Sequence, residues 1–195
     1  MRRIPHILLL TRLVLGPVLL ALGLARGPGW VLFAILVLAT LTDAFDGILA
    51  RRVGTATPWL RRADSFVDMV FYIFAGILVV FRYPQALRSY WPGIAAVVLL
   101  EIVHALFDHV KFGRQAAYHM WSAKIWGLAL LFGFSEVFLT GRAGVLFAVA
   151  VAAGMVTDTE GLVASFILPE WRHDVPSIVH AVRIRRAWAG RGTIP

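Results

Sequence analysis

The sequence has no cysteine, which excludes a disulfide framework and any thiolate metal ligand. A metal site in this chain has to be built from oxygen or histidine ligands. Charge is scarce as well. Only 15% of residues are Asp, Glu, Lys or Arg, against about a quarter in soluble domains. Acids are the scarcer sign, eleven against nineteen basic residues. There is no alternating strand pattern, no low-complexity segment and no convincing repeat. The chain is instead 59% hydrophobic, in several runs long enough to cross a hydrocarbon core of ~30 Å, which takes roughly 20 residues. These features predict an all-α polytopic membrane protein. The first apolar run is long, carries Arg12 and lacks a small-residue cleavage site, so it is expected to remain as a span and not to be a cleaved signal.

Six transmembrane helices are expected, at residues 7–25, 30–51, 63–81, 94–110, 121–140 and 145–168. The division is a six-helix transmembrane domain over 1–170 and a basic, partly amphipathic tail over 171–195. Pro17 should loosen the first helix, because it removes a backbone donor. Fifteen of the nineteen Lys and Arg residues fall on the side of the termini. That asymmetry predicts cytoplasmic termini and a cytoplasmic loop between the second and third spans. The net charge of +8 is explained by orientation and by attraction to anionic membrane lipids, with no nucleic-acid partner.

The most informative stretch is TDAFDGILARRVGTATPWLRRADSFVD, which ends the second span and opens the third. Asp43 and Asp46 lie three apart, and Asp64 and Asp68 four apart. On helices each pair shares a face, with axial separations of ~4.5 and ~6 Å. A carboxylate at the bilayer centre costs on the order of 3 kcal/mol, so intramembrane acids are read as functional. Hard oxygen ligands without His or Cys suit Mg²⁺ or Mn²⁺, and two pairs can hold two ions ~4 Å apart, the spacing that serves displacement at phosphorus. Gly47 and Ala50 leave a groove beside the first pair, and Arg51 can neutralise a pyrophosphate. Asp43 lies about 12 Å below the cytoplasmic end of its span, near phospholipid headgroup depth.

The pattern Asp43-x2-Asp46-Gly47-x2-Ala50-Arg51, followed after eight residues by Leu60-x3-Asp64-x3-Asp68, resembles the signature of the CDP-alcohol phosphotransferases. The spacing agrees throughout, with Leu60 standing where the family has glycine. The opening IPHILLLTRLVLGPVLL also resembles the family's first span, with His6 in place of the usual asparagine. The resemblance implies a homodimeric enzyme of the cytoplasmic membrane with its active site facing the cytoplasm. Residues 1–170 would be its catalytic domain. It implies two metal ions on Asp43, Asp46, Asp64 and Asp68, with Asp68 as general base. Gly47, Ala50 and Arg51 would lie along the CDP group. The implied reaction of phospholipid biosynthesis transfers a phosphatidyl group from CDP-diacylglycerol to a small alcohol and releases CMP. Glycerol 3-phosphate is the leading acceptor, with Arg61, Arg62, Arg114 and Lys124 available as cations; Lys124 and Arg61 are singled out as acceptor-binding.

Other polar residues have two readings each. Arg12 either snorkels to the cytoplasmic interface or serves substrate. Glu101, His104 and Asp108 follow helical spacing, as a polar seam or as a metal triad. Of Asp158 and Glu160, at least one should face the bundle interior. A cation- or proton-coupled transporter is the rival function, but its ion path would need polar residues on the far side of spans two and three, which are almost purely apolar there. A non-catalytic homologue is the other rival; metal-dependent binding of the CDP-lipid would exclude it.

Overall fold

The computed structural model describes residues 4–53, 58–115 and 118–190, without the side chains of 4–6, 46–53, 58–62 and 65. Among the described residues there are seven helices and no strand: α1 (Ile4–Leu24), α2 (Gly29–Val53), α3 (Pro58–Arg82), α4 (Trp91–Phe112), α5 (Trp121–Thr140), α6 (Val145–Ile167) and α7 (Ile178–Ala189). Proline and glycine set several of the limits. Pro58 opens α3, where its missing N–H costs nothing. Gly113 ends α4 in the left-handed conformation at φ 69°, its N–H donating to the His109 carbonyl. Pro17 lies inside α1 without ending it. The third helix starts at Pro58, ahead of the span expected from residue 63, so Asp64 and Asp68 lie within a formed helix.

Among the described residues, four helices are long and apolar enough to cross a bilayer: α1 from Ile7, α4, α5 and α6; the described apolar part of α2 is Gly29–Phe45. Their outward faces are apolar too. On α4, Val98, Leu99, Ile102, Val103, Leu106 and Val110 are all exposed. Such a surface would be an aggregation liability in water and suits a hydrocarbon solvent. The protein is a membrane protein.

The chain forms two compact units. The first contains α1, α2, α3 and the 131–140 part of α5. Here α1 packs on both α2 and α3. Leu19, Leu32, Leu36, Phe71, Ala75, Leu78 and Val79 form its dry interior, each at most 2% exposed. The close approach of α1 to α3 depends on small residues, the usual solution where lipid supplies no hydrophobic drive between helices. A Cβ on Gly16 would come 2.8 Å from Phe74, and one on Gly23 would overlap Leu78. Arg82, at the end of α3, donates to the Gly23 carbonyl at 2.9 Å and ties the two helices again.

The second unit contains α4, the 121–130 part of α5, α6 and α7. Within it α6 packs on α4 and on α7. Gly154 lies under the Trp126 ring and Gly161 under His104. Tyr118, Met120, Ala164, Leu168, Val175 and Ala181 form a buried cluster around the end of α6. The last carbonyls of α6 would be open at a helix terminus, yet cations reach them. Lys111 donates to the Ser165 and Phe166 carbonyls at 2.8 and 3.0 Å, and Arg185 of α7 to that of Ile167 at 3.1 Å. The tail residues 178–189 are therefore a helix docked on α6.

Candidate metal centre

Three helices of the first unit converge on one group of side chains. Asp43 comes from α2, Asp64 and Asp68 from successive turns of α3, and Arg12 from α1. One ligand oxygen from each aspartate lies within 4.8 Å of the other two. This is the one such His, Cys, Asp or Glu group among the described residues. At that separation two carboxylates repel by about 3 kcal/mol at an effective dielectric near 20, before solvent screening of the partly exposed groups. A cation among the carboxylates offsets that repulsion.

Arg12 supplies part of that charge. Its Nη1 lies 3.2 Å from Asp43 Oδ1 and 3.0 Å from Asp64 Oδ1, and it also contacts Asp68 Oδ1. The Arg12 side chain is 2% exposed, whereas those of Asp43, Asp64 and Asp68 are 43%, 32% and 32% exposed. The cation thus sits at the floor of the cluster, and the carboxylates keep an open face. Tyr72, one turn beyond Asp68, hydrogen-bonds Thr40 of α2 and fastens the two acid-bearing helices. The donor set is three carboxylates with no nitrogen or sulfur ligand, which fits a hard divalent ion such as Mg²⁺ or Mn²⁺.

The structure thus brings together three of the four aspartates expected at the site. The side chains of Asp46, Gly47, Ala50, Arg51, Leu60 and Arg61 lie outside the described residues. Lys124 belongs to the second unit, where its ammonium lies over the Trp121 ring, 4.3 Å from the centroid. Arg12 does not snorkel. It is buried at 1% exposure, and its functional signal in the sequence was a lone cation well inside the first apolar run.

The sequence of the chain matches the family model for CDP-alcohol phosphatidyltransferase over residues 2–167. The chain belongs to the CDP-alcohol phosphatidyltransferase family. The match runs from the first helix to the end of α6 and so takes in all four residues of the cluster. No protein of curated function and no solved structure matches it. As a member of this family the protein is a membrane transferase.

Glu101, Asp108, Asp158 and Glu160 of this family member find partners within the second unit. Asp108 is fully buried; its Oδ1 accepts the Ser165 hydroxyl, and His104 Nε2 lies 3.4 Å from its Oδ2. The Tyr118 hydroxyl pairs with Ser165 Oγ at 2.7 Å, and His104 Nε2 is 3.1 Å from the same oxygen. Glu101 turns instead to Asp158 of α6, with which it hydrogen-bonds. The 101–104–108 row is therefore a seam between α4 and α6, not a metal triad. Asp158 is buried at 3% exposure, as expected for at least one acid of that helix. Glu160 Oε1 accepts the Ile178 N–H at 3.3 Å, satisfying an open donor at the start of α7. Burial raises the Tyr118 hydroxyl to about 12, with its bond to Ser165 opposing and the Asp108 charge adding to the shift.

Proposed function

We propose that the protein transfers the phosphatidyl group of CDP-diacylglycerol to a small alcohol, with glycerol 3-phosphate the leading acceptor, and releases CMP. The observation that carries this reading is the convergence of Asp43, Asp64 and Asp68 within 4.8 Å in a chain of this family. Asp46, on the turn of α2 after Asp43, would complete a four-carboxylate site for two Mg²⁺ or Mn²⁺ ions. Bound divalent ions would neutralise the pyrophosphate and stabilise charge developing on the departing CMP oxygen.

The chain's own residues supply the rest. Asp68 accepts the acceptor's hydroxyl proton through a carboxylate that is open to the outside. The acceptor oxygen forms a bond to the phosphorus nearest the lipid, and the bond from that phosphorus to the bridging oxygen breaks, so CMP leaves with that oxygen. Gly47 and Ala50 allow the CDP group close to α2, and Arg51 pairs with its phosphates. Arg61 and Lys124 would hold a phosphorylated acceptor. Catalysis of this kind rests on positioning and charge compensation.

The wider setting belongs to the same proposal: six transmembrane helices in residues 1–170, termini and active site on the cytoplasmic face of the inner membrane, a basic tail over 171–195, and a homodimer. The deciding experiment supplies purified protein with CDP-diacylglycerol and a panel of alcohols and follows CMP. CMP release that needs both an acceptor and Mg²⁺ or Mn²⁺ is expected. Absence of release with every acceptor would remove the proposal.

A further inference from the structure

The aspartate cluster carries a cation of its own. A single nitrogen, Arg12 Nη1, touches an oxygen of Asp43, Asp64 and Asp68 together. A divalent ion bound by those carboxylates needs the same volume. Mg²⁺ binds oxygen at about 2.0–2.1 Å, well inside the 3.0 Å that separates Nη1 from Asp64 Oδ1. The oxygens would have to close inward on the ion, and a nitrogen at their centre prevents that.

We propose that Arg12 is an internal counter-ion that a divalent cation must displace from Asp43, Asp64 and Asp68, so that this arginine sets the affinity of the metal site. In the metal-free protein it holds the three carboxylates together and links α1 to α2 and α3. When the ion binds, the guanidinium withdraws from the shared oxygens. Arg12 thus has a role separate from the snorkelling and substrate-binding roles open to an arginine in a first span. The proposal rests on the metal reading above, but not on the identity of the substrate or the reaction.

The test is a Mn²⁺ titration of detergent-purified protein without lipid substrate, following the free-ion signal by electron paramagnetic resonance. Arg12→Gln is expected to bind Mn²⁺ at least tenfold more tightly than wild type. Its metal-free form is expected to melt lower, and saturating Mn²⁺ to restore more of the loss than it adds to wild type. Equal or weaker binding by folded Arg12→Gln overturns the proposal. Binding by neither protein overturns the metal site itself, a different failure. Should Arg12→Gln not fold, wild type alone decides through the side-chain ¹⁵N resonances of Arg12. They are expected to shift as Mg²⁺ saturates the protein, and resonances that stay in place overturn the proposal.

Discussion

Arg12 and Asp64, 52 residues apart in the chain, meet at 3.0 Å through Nη1 and Oδ1. This pair makes the packing of α1 against α3 a determinant of the acid site as well as of stability. The site is therefore a property of three helices, although its acids come from only two.

Chelation is expected to stop CMP release, and Mg²⁺ or Mn²⁺ to restore it. Metal at a hundred times its dissociation constant should also stabilise the folded protein by about 2.7 kcal/mol. Turnover that survives exhaustive chelation would remove the ions from the reaction.

Asp68→Asn keeps the shape of the side chain but loses the base. CMP release is expected to fall by roughly 10²- to 10⁴-fold, while size-exclusion behaviour stays that of wild type. Wild-type-like release from this variant would exclude Asp68 as the proton acceptor.

Gly23→Val puts a branched side chain where even a Cβ overlaps Leu78. The expected loss is about 1–3 kcal/mol, as for other overpacked interiors. Gly76→Ala on α3 is the control, because its Cβ meets nothing within 4 Å. Thermal melting of the two variants in the same detergent checks the difference; equal melting would mean that α1 and α3 are not held this closely.

Tyr118 gives an alkaline limit to stability. Its hydroxyl titrates at an ordinary 10.0 when unfolded and at about 12 when folded. The contribution is fully present below pH 10 and is lost as pH rises toward 12, because only the unfolded form ionises in that window. Tyr118→Phe should flatten this part of the stability profile, measured by melting between pH 9 and about 11.5. Unchanged alkaline sensitivity would assign the effect to other groups.

Leu60 stands where the family signature has glycine, and Leu60→Gly is expected to preserve or improve affinity for the CDP-lipid. Equilibrium binding with a fluorescent CDP-lipid measures it; a severe loss would mean that the 54–60 segment follows a different path.

The helical character and the aspartate group were legible because composition and spacing carry them directly. Asp64 and Asp68, four apart, could only share a face once they lay on a helix. The place of Arg12 was not legible. A cation in an apolar run can turn toward the interface or inward, and the choice depends on how α1 packs against α3, which spacing within α1 does not encode. The expected third span begins at residue 63 because Arg61 and Arg62 precede it, whereas Pro58 lets the helix itself begin a turn earlier. Glu160 and Ile178 form a pair between two elements, and the sequence of α6 alone gives no sign of it.

The clasp on α6 has a consequence for biogenesis. Its final carbonyls are held by Lys111, made before the helix, and by Arg185, made after it. During synthesis that helix cannot reach its finished state until residue 185 has left the ribosome. A shortened product ending ahead of this point would keep the Lys111 contacts but leave the Ile167 carbonyl without its Arg185 donor.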